Sequence, residues 1–172
     1  MITSATILVG LSLLLMAAAV VLLLKPWKPA AVPAFVAMAL LQFTPCMGTS
    51  IWKMVMWGMA TALVVGLRYY QPSGEPDGRN TGNVYVGLGS LAGALLGILV
   101  GREFIVVGTI LGAFMGIMAY SRTPHGKWIK FPTSTFIQYF CAKGLPAIVA
   151  VSMMGICSEA LLFYYKTVYF YL

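Results

Sequence analysis

Gly87-Leu88-Gly89-Ser90-Leu91-Ala92-Gly93-Ala94-Leu95-Leu96-Gly97-Ile98-Leu99-Val100-Gly101 is followed, after a short interval, by Gly108-Thr109-Ile110-Leu111-Gly112-Ala113-Phe114-Met115-Gly116. Gly89, Gly93, Gly97 and Gly101 recur every four residues, and Gly108, Gly112 and Gly116 repeat the spacing. Four residues is just over one helical turn, so each set predicts a smooth stripe along one helix face. A stripe without side chains lets a second backbone approach closely, held by dispersion and weak Cα–H···O contacts. In water such a helix is poor, because each glycine costs about 1 kcal/mol relative to alanine. In lipid an unpaired backbone is worse, and the helix survives. The polar interruption between the stripes is Arg102-Glu103. That is too short for anything but a tight turn, so a glycine-zipper hairpin is predicted, its glycines packing within one chain, packing between copies, or lining a pore or flexible gate.

The setting of this hairpin is almost uniformly apolar. The chain has 172 residues, 60% of them apolar, with 18 glycines, 9% charged residues and a net charge of +7. A soluble domain carries about 25% charged residues, and too few polar side chains are present here to clothe a water-soluble globule. The same figures exclude a disordered chain, a disulfide-stapled secreted domain and a nucleic-acid-binding module. Continuous apolar runs favour helices over the alternating strands of a membrane barrel. The reading is therefore an all-α, polytopic integral membrane protein forming one domain over residues 1–172. About six transmembrane or re-entrant helices are expected, at about 2–24, 31–47, 52–70, 84–101, 104–120 and 134–165.

Working outward, Lys25-Pro26-Trp27-Lys28-Pro29 ends the first run with two prolines and interfacial residues. The second run is short and interrupted by Pro33 and Pro45, so it either tilts or re-enters. Gln71 to Asn83, with Pro72, Gly74, Pro76, Gly78 and Gly82, reads as a solvent loop. In the last run Gly144 and Pro146 mark a break, with 134–143 lying partly in the interface. Placing the N-terminus outside the cytoplasm puts Lys25, Lys28, Arg68, Arg79, Arg122, Lys127 and Lys130 on the cytoplasmic side. Lys53, Arg102 and Lys166 then fall on the other. This bias predicts both termini on the non-cytoplasmic face, with the basic rim against anionic lipid heads.

The stretch from Gly87 to Gly101 and the stretch from Gly108 to Gly116 resemble a small family of bacterial inner-membrane proteins, domain of unknown function 456. The resemblance is best over residues 60–120. It implies a double glycine-zipper hairpin set after a few apolar helices and a polar loop, in the bacterial cytoplasmic (inner) membrane. It implies no catalytic residue, since the family has no assigned activity. At the hairpin apex the family tends to carry phenylalanine, glycine and proline, where this chain has Arg102-Glu103-Phe104.

Chemistry is sparse. His125 stands alone in a basic loop, which suits solvation better than ligation, and no metal cluster or cofactor pattern is present. Cys46, Cys141 and Cys157 form no CxxC pair. The last two lie about 24 Å apart along one helical run, beyond disulfide reach. Gly87-Leu88-Gly89 lacks the residues that would make it a phosphate loop. Four ionisable residues remain as a candidate ion or proton site. Arg102 and Glu103 are either two interfacial charges or a pair at the mouth of a cavity. Glu159 lies well within an apolar run. It sits either near the outer interface on the face of Lys166, or as a proton- or cation-binding carboxylate. Lys143 either snorkels or pairs in the interior. Membrane lipids, a homo-oligomer or a larger membrane complex are the expected partners. Two functional readings follow: a non-enzymatic scaffold, assembly or complex subunit, and a small transporter or channel for protons, ions or a lipid-linked solute.

Overall fold

The computed structural model describes residues 2–24, 30–44, 50–69, 82–127 and 129–170, with side chains described over 6–24, 30–44, 50–67, 82–127 and 129–166. Among these the chain is wholly helical: α1 (Ile2–Leu24), α2 (Ala31–Gln42), α3 (Ile51–Tyr69), α4 (Gly82–Val100), α5 (Phe104–Ser121), α6 (Ser134–Tyr139) and α7 (Leu145–Phe170). A single π-helical turn, Phe140–Gly144, joins α6 to α7, making them one broken helix. The Lys25–Pro29 stop, Cys46, and the polar loop with Glu75, Asp77 and Arg79 lie outside the described residues.

Four of the helical segments are long and apolar enough to cross a membrane: Thr6–Leu24, Gly82–Val100, Phe104–Ser121 and Ser134–Lys166. Ala31–Gln42 and Ile51–Leu67 are shorter apolar helices. At 1.5 Å per residue α2 spans about 18 Å, short of the roughly 30 Å hydrocarbon layer. The expected run to residue 47 stops at Gln42, where Phe43 caps the helix and the Thr44 hydroxyl donates to Leu41 O (2.6 Å). A proline at position 45 disfavours helical backbone in the residue before it.

The bundle is organised around α7, which packs against each of α1 to α5. Residues 150–155 are buried without interruption, the mark of a helix enclosed on every side. The α1 stripe Ser12, Met16, Ala19 and Leu23 is buried with steps of four and three, so one face meets its neighbours. The facing stripe of α2 is Ala31, Ala34, Ala37, Met38 and Leu41. Its alanines bring α2 close to α1 and α7. The opposite flanks carry exposed Leu14, Met56, Leu63, Leu96, Leu99 and Met115. Such an exterior suits lipid tails.

The most intimate contact is between α4 and α5. A Cβ built at Gly93 would overlap the carbonyl oxygen of Gly108, and one at Gly108 would overlap that of Gly93. Gly89 and Gly112 are related in the same reciprocal way. At the two ends a Cβ at Gly97 would stand 2.6 Å from Phe104 O, and one at Gly116 would overlap Tyr85 O. The two helices thus run antiparallel with backbone against backbone. Each glycine directs a Cα–H toward the carbonyl opposite, the geometry of a weak hydrogen bond.

Substitution should therefore discriminate sharply between glycines. Gly93→Ala must push two backbones apart and should destabilise the purified protein by about 1–3 kcal/mol or more. Gly66 has nothing within 4 Å of its missing side chain. Gly66→Ala should be neutral or stabilise by up to about 1 kcal/mol. Denaturant or thermal unfolding in neutral detergent measures both; equal effects would refute the backbone contact.

Candidate functional site

The hairpin turns at Gly101, whose φ of +152° is a backbone conformation that side chains rarely adopt. Gly101 N–H donates to Gly97 O (2.9 Å), and Gly101 O accepts from Phe104 N–H (2.9 Å). Gly101 belongs to the turn, with nothing within 4 Å of its missing side chain. The expectation that it extends the packing stripe is corrected here. Gly89, Gly93, Gly97, Gly108, Gly112 and Gly116 lie in the helix–helix contact described above.

From this apex α5 and α7 run side by side in opposite directions, joined by three levels of contact. Furthest from the apex, the Thr109 and Ser152 hydroxyls are 2.7 Å apart and both residues are fully buried. Thr109 donates its one proton to Val106 O (2.7 Å). Ser152 is then the donor to Thr109, and both groups are satisfied without water. One turn nearer the apex, fully buried Ile105 fills the space beside Gly155, where an added Cβ would stand 2.6 Å from Ile105 Cγ2. One turn further, Arg102 Nε lies 3.3 Å from Glu159 Oε2. As one chain number falls by three or four the other rises by three or four, which is the register of antiparallel helices.

Arg102 therefore turns away from its neighbour Glu103, which is exposed at the start of α5. Of the two alternatives for Arg102 and Glu103, neither names a partner on α7; Arg102 forms a pair that ties the apex to that helix. Glu159 is likewise joined to Arg102 and not merely aligned with Lys166. The Arg102 side chain is 50% exposed and that of Glu159 29%. Glu159 Oε2 is nonetheless buried and accepts no hydrogen bond, so the contact is Coulombic rather than directed. An Nε contact leaves the terminal guanidinium nitrogens uncommitted to this carboxylate.

Lys143 lies elsewhere. It is half-buried in the π turn, sixteen residues and about 24 Å of helix from Glu159. The π turn sits where the sequence places Gly144 and Pro146. Pro146 has no N–H to give to the carbonyl four residues earlier. Gly144 leaves room for the ring of Phe140, which a Cβ would meet at 2.9 Å. The structure thus joins Arg102 to Glu159 and leaves Lys143 and Glu103 apart from that pair.

Among the described residues no group of three or more His, Cys, Asp or Glu side chains could hold a metal ion. Cys157 is buried, Cys141 half-buried and His125 exposed. The chain matches no protein-family model, no curated protein and no solved structure.

A double-mutant cycle on Arg102→Gln and Glu159→Gln should return a coupling of about 0–1 kcal/mol, because the pair is partly exposed. Arg102→Gln alone should cost more than the double substitution, since it strands a carboxylate with one buried oxygen. The coupling should fall as salt is raised. The Thr109→Val and Ser152→Ala cycle, by contrast, should give about 0.6 kcal/mol and be insensitive to salt. Unfolding titrations at low and high salt measure both cycles.

Proposed function

We propose that this chain is a non-enzymatic, multi-pass membrane protein that acts as a scaffold, assembly factor or complex subunit, packed through a glycine-zipper hairpin. Its placement is the bacterial cytoplasmic membrane with both termini on the non-cytoplasmic face. The observation that carries this reading is the reciprocal overlap of Gly93 with Gly108 and of Gly89 with Gly112 across α4 and α5. A contact made by two backbones is rigid and shape-specific, and it leaves the outer leucines free to meet lipid or another protein. The interior supports the same reading: buried Ser12, Thr44, Ser90, Thr109 and Ser152 each bond to a carbonyl or to another hydroxyl. Most of these bonds return to a carbonyl one turn earlier in the chain, and the Thr109–Ser152 bond joins two helices, so these hydroxyls are spent within the bundle.

A second reading, transport of protons, ions or a lipid-linked solute, is favoured by one observation. Glu159 keeps a buried oxygen without a hydrogen bond beside a half-exposed arginine, and ionisable groups within membrane segments are commonly functional.

One experiment separates the two. The protein is reconstituted into vesicles, and Glu159→Gln, Lys143→Met and Gly97→Leu variants are compared with it. The scaffold reading expects Gly97→Leu to lower the unfolding midpoint or change the oligomer size. It expects Glu159→Gln and Lys143→Met to leave proton and ion flux at the level of empty vesicles. A flux through the native protein that Glu159→Gln abolishes would overturn it in favour of transport.

A further inference from the structure

We propose that the folded loop between α5 and α6 is a binding site for the phosphate headgroup of an anionic phospholipid. The inference rests on the chain being an integral membrane protein and adds the lipid class and its site.

The loop is built rather than slack. Thr123 returns both its N–H (2.9 Å) and its hydroxyl (2.6 Å) to Tyr120 O at the end of α5. Gly126 N–H donates to Thr123 O (3.1 Å), and Ile129 N–H donates to Gly126 O (2.9 Å). Gly126 is pressed so closely onto α5 that a Cβ there would overlap Tyr120 O and stand 3.1 Å from Ser121 Cα. Ile129 is buried beneath the loop. Arg122 follows Ser121 and Lys127 follows Gly126, so these two cations leave the chain from adjacent points of one knuckle. Lys130 follows the buried Ile129.

Among the described residues of this loop the ionisable side chains are all of basic type. Arg122, His125, Lys127 and Lys130 are exposed, and no Asp or Glu occurs anywhere between Glu103 and Glu159. Glu103 lies at the other end of α5, about 27 Å away at 1.5 Å per residue. An apolar foot follows the cations in the chain, beginning at Phe131 next to Lys130. Phe131 is 56% exposed and Ile137 63%. Phe131 is nevertheless held in place, edge-on to Phe114 (5.8 Å between ring centres) and to Phe136 (5.0 Å). Cations next to exposed apolar side chains match the boundary between phosphate heads and acyl chains. A guanidinium and two ammonium groups suit a phosphate. The apolar foot is what selects a lipid over a free anion.

The test uses the full-length protein in a neutral detergent. Phosphatidylglycerol, phosphatidylcholine of the same acyl length and inorganic phosphate are titrated separately while the unfolding midpoint is followed. Phosphatidylglycerol should raise the midpoint at concentrations where the other two do not. Arg122→Gln, Lys127→Gln and Lys130→Gln should each weaken the apparent affinity roughly fivefold. Lys127→Arg should retain it. Lys53→Gln and Lys166→Gln, exposed cations toward the opposite end of the bundle, should leave it unchanged, and raised salt should weaken it. Equal stabilisation by phosphatidylcholine or by inorganic phosphate, or equal loss in the Lys53 and Lys166 variants, would overturn the proposal while leaving the membrane reading intact. A native protein that remains in aqueous solution without detergent or lipid would overturn the membrane reading itself.

Discussion

Two backbones lying against each other, α4 on α5, set the geometry of the rest of this molecule. A side chain is a compliant spacer, and helices separated by side chains can slide or rotate by small amounts. Where the carbonyl of Gly108 occupies the place of a side chain on Gly93, that compliance is gone. Register, crossing geometry and separation are then fixed together, because a slip of one residue would drive a non-glycine Cβ into the facing backbone. Membrane helices gain little from the hydrophobic effect between them, since lipid tails are as apolar as leucine. Close dispersion contact and Cα–H···O geometry replace it.

Once the hairpin is fixed, α7 can be positioned against it with few specific contacts. The Thr109–Ser152 bond, the Ile105–Gly155 fit and the Arg102–Glu159 pair occupy successive turns of one interface. They grade from buried and neutral to half-exposed and charged. That order follows the cost of burial: a hydroxyl pair is tolerated deep in the bundle, whereas charges are tolerated where water reaches at least one partner. Gly155 repeats, against a side chain, the device that α4 and α5 use against a backbone.

The hairpin was legible in the sequence because a four-residue repeat of one residue type has a single helical meaning. So were its turn at Arg102-Glu103 and the broken helix around Gly144 and Pro146. The ladder between α5 and α7 was not read, although a trace of it exists. Arg102 and Thr109 are seven apart, and so are Ser152 and Glu159, which is two turns in both helices. Arg102 and Glu103 adjoin in the chain, so the sequence groups them at one apex, as two interfacial charges or as a pair, and does not reach to α7. Arg102 lies in the turn before α5 and its partner on another helix, a contact that spacing along one run does not report. Gly101 was misplaced for a related reason. The spacing continues the stripe, but a positive φ ends the helix there, and spacing alone does not report φ. The short α2 was ambiguous because its apolar content runs past the point where its hydrogen bonding stops.

The same rigidity bears on what the bundle can do. Alternating access and gating need an element with two arrangements close in energy. The α4–α5 contact offers no such second arrangement, because any displacement either opens a void along two bare stripes or forces a backbone clash. The π turn at Phe140–Gly144 departs from regular α-helix, yet its spare room beside Gly144 is occupied by the Phe140 ring. The Arg102–Glu159 pair is attached to the rigid hairpin on one side and to the most enclosed helix on the other, so breaking it does not by itself release a moving part. Stiffness is the property that these contacts favour, and it accords with the proposed scaffold better than with the carriage of a solute, which needs a part that moves.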